Sequence, residues 1–113
     1  MKIENSDHII KHIPKEMFLR NETFNNLEIC INYKESEKSY YINFTPVYVE
    51  GPSTTLIPIL CREHRLLGVN RRSKNNIKKA IEIYNNDIEN FTELLLKVYK
   101  TEFTKEELKI EIN

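Results

Sequence analysis

The sequence predicts an α+β domain: a three- to four-stranded antiparallel sheet over about residues 27–69, with a long amphipathic helix over about residues 73–101 packed on one face. Three observations carry this. Residues 27–34 alternate apolar with polar, the period of a half-buried strand, and residues 39–50 are rich in aromatic and β-branched residues. The connections between these runs are too short for parallel crossovers, which leaves an antiparallel meander. From Ser73 onward the apolar residues recur at spacings of three and four, the period of a helix with one buried stripe.

The N-terminal stretch reads as a short helical segment. Ser6 or Asp7 is placed to cap a turn carrying Ile9, Ile10 and Ile13 on one side. Pro14 breaks it and suits the first turn of a second helical piece presenting Met17 and Phe18. Residues 20–26 then read as loop. The first strand sets Leu27, Ile29, Ile31 and Tyr33 against Glu28, Cys30, Asn32 and Lys34. The polar run 35–38 is a turn. In the next strand Tyr41, Asn43 and Thr45 face one way, and Tyr40, Ile42 and Phe44 the other. Pro46 lacks a donor, so this strand bends there or lies at an edge. Residues 50–53 form a turn, residues 54–61 are a third strand candidate interrupted by Pro58, and residues 65–69 a short fourth.

The helical stripe comprises Ile77, Ala80, Ile81, Tyr84, Ile88, Phe91, Leu95, Val98 and Tyr99. Asn85, Asn86 and Asp87 lower helix propensity midway, and Asn86 with Glu89 resembles a capping box, which would divide the helix in two. The stripe keeps phase across the junction, and on that ground one long helix is expected. Thr104 and Glu107 look like the cap of a last short helix, although residues 108–112 alternate and would suit a strand equally.

With 113 residues, 40% of them hydrophobic and only two glycines, the chain has the composition of a single folded domain rather than a disordered or fibrous one. The N-terminus lacks the apolar core of a signal peptide, and no apolar run approaches the roughly 20 residues of a membrane span, so a cytoplasmic protein is expected. Cys30 and Cys61 sit in apolar runs, where buried free thiols are common.

Formal net charge is zero, but it is unevenly placed. Arg62, Arg65, Arg71, Arg72, Lys74, Lys78 and Lys79 face the lone Glu63 within residues 62–79, and the rest of the chain carries the balancing acidic excess. This crowd surrounds the predicted helix start at Ser73. A helix N-terminus is the positive end of the macrodipole, so cations are disfavoured there and anions welcome. Backbone N–H groups, dipole and guanidinium forks would converge on a phosphate at that point. A solvated lysine face explains the same residues more simply, since each misplaced charge costs only about 0.3–1 kcal/mol.

Other chemistry is thinly represented. His8 and His12 at helical spacing, with Cys61 and His64 as C-x-x-H, are a formal zinc ligand set. A surface histidine pair beside a core cysteine is the blander reading. Cys61 or Cys30 with His64 is the sole nucleophile pairing on offer, and two glycines cannot build a P-loop or dinucleotide fingerprint. Neither a cofactor nor enzymatic activity is expected. Tyr40, Tyr41, Phe44 and Tyr48 could stack bases or form an interface, or could simply be core.

The leading expectation is a non-enzymatic binding protein whose basic helix start docks nucleic acid, a nucleoprotein complex or an acidic protein surface. Its small size, lack of motifs and AT-rich coding flavour (abundant Ile, Asn and Lys) suggest an accessory or inhibitor protein of a phage or mobile element. The competing expectation is a protein–protein or self-assembling module, such as a homodimer, that uses a sheet edge and the tyrosine row. An enzyme depending on cysteine comes last.

Overall fold

A computed structural model describes residues 8–19, 22–47, 62–66, 71 and 73–111. The central sheet has four antiparallel strands in the order β1-β4-β5-β6. They are β1 (His8–Ile13), β4 (Asn26–Lys34), β5 (Ser39–Val47) and β6 (Arg62–Leu66). Strands β2 (Met17–Leu19) and β3 (Glu22–Phe24) form a separate hairpin between β1 and β4. Helices α1 (Lys74–Asn86), α2 (Ile88–Tyr99) and α3 (Lys105–Leu108) follow.

The β4–β5 pairing is the backbone of the domain. It runs unbroken from Asn26 opposite Val47 to Lys34 opposite Ser39. The polar residues 35–38 close it with two turn hydrogen bonds, Glu37 N–H to Lys34 O and Lys38 N–H to Glu35 O. Lys38 adopts a left-handed conformation, φ 48°, which a residue bearing a Cβ occupies only at a cost. The register places Ile29, Ile31, Tyr33, Tyr40, Ile42 and Phe44 on one face, as the alternation predicts, and all six belong to the main core cluster.

That face meets the helices. Ile77, Ala80, Ile81 and Tyr84 of α1 and Ile88, Phe91, Leu95 and Tyr99 of α2 fill the same core. Phe91 lies 5.0 Å from Tyr84 and 5.4 Å from Phe44, ring centre to ring centre, a separation at which aromatic pairs add to simple burial. The Tyr99 hydroxyl donates to Phe44 O at 2.9 Å and the Tyr84 hydroxyl to Leu108 O at 2.7 Å, so each buried phenol keeps a partner.

Four expectations are corrected. First, the N-terminal segment is strand, not helix. The run His-Ile-Ile-Lys-His-Ile suits either period, and its β-branched residues can pair along β4, so the vacant side of β4 decides the matter. Second, residues 22–24 are the return strand of a hairpin rather than loop. Third, the helix is two, broken at Asp87, whose N–H bonds to Tyr84 O as a tight turn. The stripe keeps phase because Tyr84, Ile88 and Phe91 still fall on the core side. Asn85, within α1, grips residue 110 with its side chain: its Nδ2 donates to Ile110 O at 2.8 Å, and its Oδ1 accepts from Ile110 N–H at 3.0 Å. Fourth, the second face of β4 and β5 is also buried, Glu28, Cys30, Asn43 and Thr45 included.

The short helix at Thr104 forms as its capping box predicts, and residues 109–111 are not a strand. Pro46 sits within β5, between β4 and β6 in sheet order and beyond the stretch that β6 pairs. The candidate strand at 54–61 and residues 67–69 of the fourth lie outside the described residues. Residues 65 and 66 of the latter belong to β6.

Candidate functional site

The start of α1 is built from three elements. Ser73 is extended, φ −166° and ψ 164°, and its Oγ accepts the Asn76 N–H at 3.1 Å. The Tyr40 hydroxyl, reaching from β5, accepts the Ser73 N–H at 3.1 Å and donates to Ser73 O at 3.3 Å. Asn76 Nδ2 donates to Arg71 O at 2.6 Å. The helix therefore begins at a fixed point above the sheet, near Leu66, which pairs with Tyr40. Ser73 uses one of the first-turn N–H groups, and those of Lys74 and Asn75 remain at the mouth of the helix, as at any helix start. The first turn contains no acidic residue.

Around this point Arg71, Lys78 and Lys79 are exposed. Lys74 is the first helical residue, which sets it one turn from Lys78 on the same side. Arg65 is separated from them. It pairs in register with Tyr41, on the sheet face opposite α1, and its Nε donates to Ser39 Oγ at 2.9 Å. Arg62 is placed opposite Phe44, at the far end of β6 from Leu66. Arg72 lies outside the described residues. The cluster the sequence predicts is thus divided: Arg71, Lys74, Lys78 and Lys79 belong to the helix start, whereas Arg65 belongs to a polar row on the other face.

In that row Lys34 pairs with Glu63 and stacks over the Tyr41 ring at 4.5 Å. The Glu63 carboxylate holds the Lys34 ammonium above its ordinary pKa. Burial raises the Tyr41 phenol, and Glu37 adds to it.

Register also places Cys30 relative to His64. Cys30 stands opposite Asn43, which stands opposite Glu63, whereas His64 stands opposite Ile42 on the core face. Cys30 and His64 lie on opposite faces of the sheet and cannot act as a nucleophile pair. The His64 ring packs 5.6 Å from Phe91 and 6.1 Å from Phe44, as a core side chain does. His8 and His12 lie in β1, where a register shift between Ile9 and Lys11 sets His8 opposite Ile31 and His12 opposite Glu28, in rows of different faces. His12 instead meets Asn26 and Glu28, at 3.2 and 3.6 Å. Among the described residues no cluster of His, Cys, Asp or Glu could hold a metal ion. Cys61 lies outside them.

The described members of the tyrosine row belong to the interior. Tyr40, Tyr41 and Phe44 are all buried, and among the described aromatic residues only Phe18, 63% exposed on β2, presents an open ring. Tyr48 lies outside the described residues.

The sequence points to Ser73, Arg71 and the lysines. It does not point to Tyr40 or Asn76, which hold the helix start in place. Tyr40 is thirty-three positions from Ser73, and no local pattern reports such a contact. Asn76 occupies the place where a capping box carries Glu or Gln, and that substitution is its single signal.

No family model, curated protein or solved structure matches this chain. Among the described residues no helix is long and apolar enough to cross a membrane.

Proposed function

We propose that the chain is a small non-enzymatic binding protein that docks an anionic macromolecule at the start of α1. The observation that supports this is the pairing of rigidity with charge. Tyr40 and Ser73 fix the helix start, its first turn carries no acid to offset the dipole, and Arg71, Lys78 and Lys79 are exposed around it. Oriented donors that are held before the ligand arrives cost little to reorganise. The partner is nucleic acid, a nucleoprotein complex or an acidic protein surface, in keeping with an accessory or inhibitory protein from a phage or mobile element.

The test is binding of the full chain to short single- and double-stranded DNA and RNA at about 50 and 200 mM salt. Nucleic acid as partner requires affinity to fall by orders of magnitude over that range, and binding to be lost in the double variant Arg71→Glu/Arg72→Glu while the melting temperature stays near that of the parent. Absence of binding to all four probes excludes nucleic acid and leaves an acidic protein surface, to be sought by pull-down with the same double variant as control. Capture that is indifferent to the double variant overturns the helix start as the site.

A further inference from the structure

The helical layer carries a second surface feature, away from the start of α1. A cleft of about 380 Å³ opens between α2 and the segment leading into α3. Leu96, half exposed, and the Phe103 ring give it an apolar floor, with Thr92, Glu93, Glu102 and Lys105 around them. Lys105 is taken by Glu89 at 2.6 Å. Glu93 and Glu102 are exposed and have no ion-pair partner among the described residues. Lys97 follows Leu96 in α2 but does not line the cleft. An apolar floor beside two unpaired carboxylates suits a lysine or arginine side chain, whose stem lies on hydrocarbon while its head meets the charge.

Such side chains stand on this same chain, at the exposed Arg71, Lys78 and Lys79. The two surfaces sit toward opposite ends of the β4–β5 pair. Tyr40, which holds Ser73, stands opposite Tyr33 near the turn. The α3 segment is tied to Lys11 and Lys15, on either side of Ile13, which stands opposite Leu27 at the far end. One copy therefore cannot bring its own helix start onto its own cleft. Formal net charge is zero, so whole copies do not repel one another.

We propose that the α1 start of one copy docks into the α2–α3 cleft of the next, assembling the chain head to tail. The inference rests on the reading of the α1 start as an anion-docking surface, and it names the acidic protein surface as the chain's own. Lys78 and Lys79 meet Glu93 and Glu102, and a lysine stem lies across Leu96. A heterologous contact of this kind leaves a free start at one end of the row and a free cleft at the other, so growth does not stop at two copies. Ion pairs between exposed groups make it sensitive to salt.

The test is sedimentation equilibrium of the full chain from about 10 μM to about 1 mM, at about 50 and 200 mM salt. The parent is expected to form dimers and then longer species as concentration rises, and fewer of both at the higher salt. Glu93→Gln/Glu102→Gln removes the charge of the cleft, and Lys78→Gln/Lys79→Gln that of the start. Each double variant should weaken association by about tenfold or more. Their equimolar mixture keeps one intact start and one intact cleft, and should stop at pairs of unlike variants. All four positions are exposed, so melting temperatures should stay near that of the parent. A mixture that forms longer species, or self-association that the start variant leaves untouched, overturns the proposal. A monomeric parent overturns it too, and if that parent binds nucleic acid through Arg71 and Arg72, the docking reading survives alone. A monomeric parent whose cleft takes up a tetralysine peptide, with loss in the Glu93/Glu102 variant, would assign the cleft to a different basic partner and exclude the second copy.

Discussion

Two helix starts in this chain solve the same problem in opposite ways. At α3, Thr104 Oγ1 accepts the Glu107 N–H at 3.1 Å, and Glu107 Oε1 accepts the Thr104 N–H at 2.9 Å. The cap is local and reciprocal, and Glu106 and Glu107 give the positive end of the dipole its counter-charge. At α1, Ser73 caps in the same manner, but the residue three places on is Asn76, which turns its side chain to Arg71 O. The Ser73 N–H is taken instead by a tyrosine from the sheet. The work of the missing glutamate passes to a neutral group, so the Ser73 N–H is bonded without adding a negative charge to the helix end. One start is electrically closed, and the other is left electropositive.

The largest effects should come from the packing beneath each start. Ile81→Ala and Leu108→Ala each empty a buried site and should cost about 2–5 kcal/mol. A near-neutral result at Leu108 in urea unfolding would show that α3 is held by its cap alone. Next comes Tyr40→Phe. The ring stays, but the hydroxyl that both donates to and accepts from Ser73 is lost, at about 1–3 kcal/mol. Anionic-partner affinity should fall with it, and unchanged affinity would show that the sheet contact does not organise the site. Ser73→Ala and Thr104→Ala should each cost about 0.5–2 kcal/mol. The smallest effect is also the most telling. Asn75→Asp supplies the first turn of α1 with the acid it lacks, and should raise stability by about 0.3–1 kcal/mol while weakening partner binding.

Titration divides the two starts as well. Burial raises the Glu107 carboxyl, but the Lys15 ammonium, the Thr104 N–H and its hydroxyl outweigh it and hold the pKa below its ordinary value. A carboxyl depressed in the folded state stabilises fully above its unfolded pKa, and that contribution disappears as pH falls through the folded value. Acid unfolding followed by circular dichroism should therefore show the parent losing part of its margin in the acidic range, and Glu107→Gln should flatten that loss. No such dependence is expected from the first turn of α1, which has no acid to protonate.

Where structure follows local rules, the sequence is legible. The alternation of residues 27–34 and 39–45 gives the correct faces, the helical stripe gives the core side, and Ser73 and Thr104 mark true caps. Illegible features depend on distant partners. Residues 8–13 satisfy two periods and become strand because β4 offers a free side. The break at Asp87 is signalled locally by Asn85, Asn86 and Asp87, but the grip of the Asn85 side chain on Ile110, twenty-five positions on, is not. Of the candidate site, the charges were visible, but the separation of Arg65 from the helix start was not, since it follows from which face of β6 that residue occupies.

The grip on residues 106–110 has a bearing on the order of folding. Lys11 Nζ donates to Glu106 O and Lys109 O, Lys15 pairs with Glu107, Tyr84 holds Leu108 O, and Asn85 holds both backbone groups of Ile110. The first strand and the end of α1 thus wait for the same late-made peptide. On a translating ribosome the β4–β5 hairpin can pair early, whereas closure of the whole domain is delayed until residue 110 has cleared the exit tunnel. Nascent chains stalled at successive lengths should gain protease resistance in two steps, with the second falling only after that point.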